Sequence, residues 1–281
     1  MAIQTSQQVL AAAFESAQKR KQFYYEPTSR LQLVGKLQHL SRFSDFLVVI
    51  TGPEGAGKTT LLEQLQVAES ESKVRACVIC SAGRLALSDL LAQLAVQVSG
   101  DVPADATDQL LLTIIDESAA MMAAERIQWI IMVDDALQLT DEAFAFLLQL
   151  ISMVDGPATT PHLMLLGMPE LLPRVQAKLG PESLDRQLHH LELEAFTADE
   201  ASAYLLQRYS AAGSLSAKQL QAVYEASNGQ PGGLNQAVED LFRSGSVSRS
   251  PASAPLPRLH LISVAVVLVG ILAISLWQYW P

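Results

Sequence analysis

The eight residues from Gly52 to Thr59 form the pattern in this sequence with the clearest chemistry. They read Gly-Pro-Glu-Gly-Ala-Gly-Lys-Thr, which satisfies the phosphate-binding pattern G-x-x-x-x-G-K-[ST]. The glycines let backbone N–H groups curl around an anion. Lys58 supplies a positive charge for the β and γ phosphates of ATP, and Thr59 supplies a hydroxyl for Mg²⁺. The predicted cofactor-binding residues are Gly52, Pro53, Glu54, Gly55, Ala56, Gly57, Lys58, Thr59 and Thr60.

A pair of carboxylates, Asp134 and Asp135, ends a later apolar run. We predict that Asp134 binds Mg²⁺, directly or through water. Asp135 is predicted to polarise the attacking water, which makes it, with Lys58, a candidate catalytic residue. A strand followed by a capped helix could also end in two aspartates. The phosphate-binding pattern upstream favours the catalytic interpretation.

The elements that must position these residues alternate between strands and helices, which indicates an α/β fold with a parallel sheet. The strands are predicted as nearly continuous apolar runs, as in sheets covered on both faces: Phe46–Ile50, Val74–Cys80, Trp129–Asp134, Leu163–Gly167 and Leu188–Leu193. Helices are predicted over Arg30–Phe43, Lys58–Ala68, Ser88–Val98, Asp108–Ala124 and Asp141–Met153. After Phe196 the pattern predicts helices only, as in a small lid.

The C-terminal part contains an apolar stretch long enough to cross a membrane. From Leu259 to Trp280 there is no Asp, Glu, Lys or Arg, and about 20 helical residues span about 30 Å of hydrocarbon. A buried core helix is the alternative, but the aromatic residues at the far end favour a membrane span. The predicted organisation is an N-terminal helical segment (1–29), an ATPase core (30–195), a helical lid (196–243), a flexible linker (244–257) and a transmembrane helix (258–280).

Charge sets the expected orientation and partners. Arg243, Arg249 and Arg258 precede the apolar stretch and no Lys or Arg follows it. The positive-inside rule therefore predicts a single-pass protein of the inner (cytoplasmic) membrane, with its N-terminal domain in the cytoplasm. The formal net charge of −10 makes a nucleic-acid partner unlikely, although a local basic patch remains compatible with it.

The cysteine and histidine patterns are weaker signals. Cys77 and Cys80 could suggest a redox or metal-binding pair. They lie three residues apart on a predicted strand, so their thiols would point to opposite faces and would not bind one ion together. We therefore predict that they are buried structural cysteines. The adjacent His189 and His190 would likewise diverge, and no acidic cluster accompanies them.

With both motifs established, the chain from Pro27 to Phe242 resembles AAA-type P-loop ATPases of the ExeA/GspA and DamX group, with MshM-like proteins close by. Leu165–Leu171 is similar to that family's L-x-G-Q-P-E-L segment, and Ser227–Asn235 to its lid segment S-x-G-x-P-R-x-I-N. The resemblance implies ATP and Mg²⁺ as cofactors and a homo-oligomeric ring. It also implies envelope or peptidoglycan-associated protein partners at the bacterial cell envelope, in secretion, pilus assembly or division.

Departures from the family pattern weaken the expected hydrolysis. Asp135 stands where the family has Glu, and Met168 stands where it has a Gln near the γ phosphate. Gly232 and Gly233 stand where the lid would supply an Arg. Arg186 lies where such ATPases carry an arginine finger for the neighbouring subunit, although a surface charge is equally compatible with its position. We therefore expect ATP·Mg²⁺ to bind well and to be hydrolysed slowly.

Three functions follow as hypotheses. The first is a membrane-anchored ATPase that assembles or remodels an envelope complex. The second is a switch or scaffold that binds ATP to oligomerise and hardly hydrolyses it. The third is a DNA-handling ATPase, against which the acidic composition and the predicted membrane span both count.

Overall fold

The computed structural model describes residues 25–43, 47–68, 73–80, 83–152, 161–179, 188–209, 212–213 and 215–245. Most of the predicted N-terminal segment, most of the linker, the predicted transmembrane helix and Arg186 lie outside these ranges. Inside them, no helix combines the length and the apolar character needed to cross a bilayer.

Five strands alternate with helices, and the predicted α/β class is confirmed. The strands are β1 (Leu47–Thr51), β2 (Val74–Ile79), β3 (Gln128–Val133), β4 (His162–Gly167) and β5 (Leu188–Glu192). The α-helices are α1 (Thr28–Phe43), α2 (Lys58–Ala68), α3 (Leu87–Ser99), α4 (Asp108–Glu125), α5 (Asp141–Ser152), α6 (Leu171–Lys178), α7 (Ala198–Arg208), α8 (Ala217–Ser227) and α9 (Pro231–Ser244). A 3₁₀ turn over Ala136–Gln138 follows β3.

The strands form one parallel sheet in the order β2-β3-β4-β1-β5. The central strand β1 pairs with β4 on one side and β5 on the other, with Leu47 opposite both Leu163 and Leu188. The strand order therefore reverses at β1. In open parallel sheets ligands bind beyond the carboxyl ends of the strands at such a reversal, and the phosphate-binding pattern begins there.

Alternation along the buried strands divides the core into two layers. On β1, Leu47 and Val49 pack on the side of α3, α4, α5 and α6, while Val48 and Ile50 pack on the side of α1 and α2. Both layers consist of buried apolar residues, so the central strands are covered on both faces and are apolar at nearly every position. The edge strand β2 shows the contrast, since Cys77 is fully buried whereas Cys80, just beyond the strand, is exposed.

Helices α7, α8 and α9 form a separate small core. Its buried residues include Phe196, Tyr204, Val223, Leu234 and Val238. Two capping boxes start the first two of these helices, with Thr197 paired to Glu200 and Ser216 paired to Gln219. This helical unit packs over the end of the sheet from which the phosphate-binding pattern emerges.

Candidate functional site

The phosphate-binding loop joins the end of β1 to the start of α2. Gly55 and Gly57 have φ values of 76° and 92°, a left-handed conformation that side chains other than glycine rarely adopt. The loop's backbone therefore depends on glycine at both positions. Since α2 begins at Lys58, the helix N-terminus with its partial positive charge faces the space that the loop encloses.

Lys58 is folded back onto its own loop. Its Nζ donates hydrogen bonds to the carbonyl oxygens of Gly52 and Pro53, each at 2.8 Å. Burial lowers the pKa of the Lys58 amine, and the negative charges of Asp134, Asp135 and Glu54 offset part of that decrease. A polyphosphate entering the loop would offer this ammonium acceptors that carry full negative charge.

Thr59 and Asp134 meet although they are 75 residues apart in sequence. The Thr59 hydroxyl donates to Asp134 Oδ2 at 2.7 Å, and the backbone N–H of Asp135 donates to Asp134 Oδ1 at 3.0 Å. Both carboxylate oxygens of Asp134 are therefore held in place. A magnesium ion prefers oxygen ligands in this kind of setting and keeps several waters or phosphate oxygens.

Asp135 begins the turn after β3 with a left-handed φ of 49°. Arg174 of α6 fixes that turn by donating to the carbonyl oxygens of Leu137 at 3.1 Å and Leu139 at 2.8 Å. Its guanidinium also lies 4.4 Å from the centre of the Phe144 ring. The position of the second carboxylate is thus supported from outside the site.

These residues open into one cavity of about 780 Å³ between the sheet end and the helical unit. Its acidic side chains are Glu54, Asp134 and Asp135, and its cationic side chains, among the described residues, are Arg30, Lys58 and Arg208. The volume lies in the range of pockets that hold nucleotide-sized ligands. The remaining lining residues are Tyr25, Gly55, Ala56, Gly57, Thr59, Thr60, Leu61, Met168, Phe196, Tyr204, Pro231, Gly232 and Asn235.

Arg30 connects three parts of the site. Only 8% of its surface is exposed, and its Nη2 donates to Ala56 O in the loop at 3.3 Å and to Glu194 O beyond β5 at 2.7 Å. The guanidinium lies 5.3 Å from the centre of the Phe196 ring. A buried charge needs such partners, so this arginine joins α1, the phosphate-binding loop and the start of the helical unit.

Aromatic rings line the cavity on the side of Arg30. The centres of the Tyr25, Phe196 and Tyr204 rings lie between 5.5 and 5.7 Å apart in pairs, with tilted or edge-on geometry. Such a cluster offers the flat faces and edges against which a purine can stack. The cavity therefore combines a phosphate-binding end with an aromatic side.

The helical unit touches the loop through its backbone. The N–H of Gly232, at the start of α9, donates to Gly55 O at 2.8 Å. A Cβ atom added at Gly232 would lie 2.7 Å from Gly55 Cα, closer than real Cβ contacts allow. Gly232 stands where the family resemblance predicts a lid arginine, and this position thus has no space for a side chain while the unit sits on the loop.

The structure places the predicted site residues as follows. Those lining the cavity are Glu54, Gly55, Ala56, Gly57, Lys58, Thr59, Thr60, Asp134 and Asp135, whereas Gly52 and Pro53 contribute the carbonyl groups that hold Lys58. Met168 also lines the cavity and is 39% exposed, so an apolar thioether occupies the position where the resemblance predicts Gln. Arg186 lies outside the described residues.

Sequence reasoning missed Arg30, Arg208, Asn235 and the aromatic residues as parts of this site. Each comes from a segment far from the two motifs. No local pattern marks the arginines or the aromatic residues, whereas Asn235 ends the lid segment Ser227–Asn235 but was given no role in the site. The one available signal was indirect. A charged residue that stands among the apolar positions of a helix, such as Arg30 or Arg208, is buried only if it has a partner, so it can indicate a site between elements.

Comparison with known proteins agrees with this geometry. Residues 41–175 match the family model described as an AAA domain. The chain therefore carries an AAA-type P-loop ATPase domain. A search of curated proteins finds no match.

Solved structures show the same fold. A Walker-type ATPase of Pyrococcus abyssi superposes with a TM-score of 0.58 at 15% identity, over 89% of this chain and 75% of that one. Cdc6p of Pyrobaculum aerophilum gives 0.54 at 15% identity, over 82% of this chain and 65% of that one. The ADP form of the Aeropyrum pernix ORC2 protein gives 0.54 at 15% identity, over 82% and 67%. At this identity the likeness concerns the fold alone.

Proposed function

We propose that the protein binds ATP·Mg²⁺ in the cavity between the sheet and the helical unit and hydrolyses it slowly. The hydrogen bond from Thr59 to Asp134 is the observation that carries the proposal. It brings the threonine hydroxyl of the loop to the carboxylate that ends β3, beside Lys58, and this is the constellation that phosphoryl transfer from ATP requires.

The chain's own residues would divide the work among binding, orientation and proton handling. Loop N–H groups and Lys58 hold the phosphates, while Thr59 and Asp134 would hold Mg²⁺, which neutralises charge on the phosphate oxygens when bound. Asp135 orients the attacking water and accepts its proton at a carboxylate oxygen. The aromatic side formed by Tyr25, Phe196 and Tyr204 receives the base.

Slow turnover follows from two features of the cavity. Asp135 is one methylene shorter than a glutamate, so its carboxylate lies further from the water it must activate. Met168 offers no hydrogen bond to the terminal phosphate, and a missing donor of this kind costs about 10²–10³ in rate in other enzymes. Neither feature weakens the phosphate-binding loop.

We further propose that the protein is a single-pass protein of the inner membrane with this domain in the cytoplasm, as in the ExeA/GspA and DamX group. The apolar stretch from Leu259 to Trp280 and the arginines before it support this placement. In that setting the ATPase would assemble or remodel an envelope complex related to secretion, pili, division or peptidoglycan.

An ATP-binding switch or scaffold is the alternative, and Met168 in the cavity favours it. Steady-state phosphate release separates the two, measured with wild type, Lys58→Ala and Asp135→Asn. The aspartate variant is a matched probe because Asn also tolerates the left-handed backbone at this position.

An ATPase would show wild-type phosphate release above both variants, with ATP binding retained in Asp135→Asn and lost in Lys58→Ala. Wild-type phosphate release equal to the Lys58→Ala background, with ATP still bound by wild type, would contradict the ATPase and favour the switch or scaffold.

A DNA-handling function is tested separately, because one structure with this fold, the ORC1 protein of Aeropyrum pernix, was solved in complex with DNA. We expect no salt-sensitive DNA binding, given the net charge of −10. Binding to duplex DNA that weakens steeply with salt would contradict this expectation.

A further inference from the structure

Three cations line the cavity in the described part of the chain, and each comes from a different helix. Lys58 is held by its loop at the site of phosphate binding, and Arg30 is held between the loop and Glu194 O. Arg208, in the last turn of α7, is the cation that the helical unit brings to the same cavity. Neither motif accounts for it.

Arg208 lies beside two tyrosine side chains that share a hydrogen-bond partner. Its guanidinium carbon lies 6.0 Å from the centre of the Tyr204 ring and 5.8 Å from that of Tyr209, and its Nε is buried. The hydroxyls of both tyrosines donate to Asn235 Oδ1, at 2.8 and 3.2 Å. Burial raises the pKa of both phenols and the Arg208 charge offsets part of the increase, so both remain neutral donors at neutral pH.

A short series of contacts ties these two tyrosines to the phosphate-binding loop. Asn235 lies three residues after Gly232 on α9, which is less than one helical turn. Gly232 in turn is bonded to Gly55 O at 2.8 Å. The two tyrosines beside Arg208 are therefore linked through Asn235 to the end of α9 that sits on the loop, and Arg208 itself lines the cavity that the loop opens into.

We infer that Arg208 binds the phosphate chain of ATP from the side of the helical unit. This inference rests on the proposed function and adds to it a cation contributed by α7. A planar guanidinium offers several donors to phosphate oxygens, and ATP carries more negative charge than Lys58 and Mg²⁺ neutralise. Arg208 thereby joins the helical unit to the nucleotide while Gly232 joins it to the loop.

The test uses the full-length chain in detergent and two probes, a fluorescent ATP analogue and inorganic tripolyphosphate that displaces it. Tripolyphosphate has neither base nor ribose, so it reports only contacts to phosphate. The variants are Arg208→Gln and Arg208→Lys. Lys218→Gln is the matched control, because it removes one positive charge from an exposed position on α8 away from the cavity.

Arg208→Gln should weaken the binding of the ATP analogue and of tripolyphosphate by the same factor, about tenfold or more. Arg208→Lys should recover part of the lost affinity for both probes, and Lys218→Gln should bind both as wild type does. If Arg208→Gln does not fold, as judged by its melting transition, the Lys variant decides alone, with an expected loss of severalfold for both probes.

Two results would overturn the inference. One is unchanged affinity for both probes in the Arg208 variants. The other is weaker binding of the ATP analogue with unchanged displacement by tripolyphosphate, which would assign Arg208 to the base or ribose. If wild type and Lys58→Ala both fail to bind the ATP analogue, the proposed function itself fails, a result distinct from either of these.

Discussion

Asp134 and Asp135 show how adjacent carboxylates acquire different tasks. Asp134 is held at both oxygens, by the Thr59 hydroxyl and by the backbone of Asp135. Asp135 lies on a left-handed turn and lines the cavity. Asp134 is therefore suited to bind a cation, and Asp135 is suited to contact the attacking water.

Lengthening the second carboxylate should restore hydrolysis. We expect Asp135→Glu to raise the turnover number about tenfold with little change in ATP affinity, because the base then reaches further toward the water. The left-handed backbone should make the variant about 1 kcal/mol less stable. Phosphate release and thermal melting measure the two effects, and a turnover at or below wild type would contradict the assigned role.

The pKa of Lys58 predicts how binding depends on pH. Burial lowers this pKa in the free protein, and bound phosphates would raise it again. Binding is then linked to proton uptake wherever the free amine is already neutral, so ATP affinity should fall as pH rises through the lowered pKa. Titrations with ATP in steps from neutral to alkaline pH check this, and an alkaline affinity equal to the neutral one would contradict it.

At the residue scale, the sequence predicted the site residues that are adjacent in the chain and missed those that only folding brings together. The loop from Gly52 to Thr59 carries its whole pattern in eight residues. Arg30 reaches Glu194 O across 164 residues, and the hydrogen bond from Tyr204 to Asn235 joins α7 to α9. Such contacts depend on how elements pack, which periodicity and motif spacing do not encode.

At the scale of elements, the contact between Gly55 and Gly232 is the point where α9 rests on the phosphate-binding loop. It is a backbone hydrogen bond between two glycines with no room for a side chain on the helix. A change in the loop on nucleotide binding would therefore reach the helical unit directly. An arginine at position 232, which the family resemblance predicts, would require a larger distance between α9 and the phosphate-binding loop.

Adding one methyl group at this contact should separate the two elements. We expect Gly232→Ala to weaken ATP binding about tenfold, because its Cβ would lie 2.7 Å from Gly55 Cα unless α9 moves. Gly35→Ala is the control, since a Cβ there meets nothing within 4 Å. Equal ATP affinities of the two variants would show that the contact carries no coupling.

The elements themselves were largely predictable. Strands such as β1 and β4 are buried on both faces, and their apolar runs are distinct. Helix α6 was not predicted, since it has only eight residues and contains Pro173, which its first turn tolerates. The order of the strands in the sheet could not be derived, because parallel strands of similar apolar content can pair with one another in several orders.

At the scale of the whole molecule, the account predicts that ATP drives assembly. A neighbouring subunit would then supply Arg186 to the terminal phosphate, as the family resemblance implies. We expect the full-length chain in detergent to sediment as a larger species with ATP than without it. A species of one size in both conditions would contradict assembly by nucleotide.

The role of Arg186 is measured by turnover. Arg186→Ala should lower turnover at least tenfold at equal ATP affinity.

Membrane attachment is a further prediction at this scale. The full-length chain should remain with membranes after alkaline extraction, while a chain ending at residue 257 should not, because the apolar stretch from Leu259 to Trp280 would be its anchor. Release of both chains by alkaline extraction would contradict the proposed anchor.

The most direct test of the central claim is the dependence of ATP affinity on Mg²⁺. The account assigns the ion to Thr59 and Asp134, so removing Mg²⁺ with a chelator should weaken ATP binding at least tenfold in wild type. In Thr59→Ala and Asp134→Ala the same removal should change ATP affinity by less than about threefold. Equal dependence on Mg²⁺ in wild type and both variants would contradict the account.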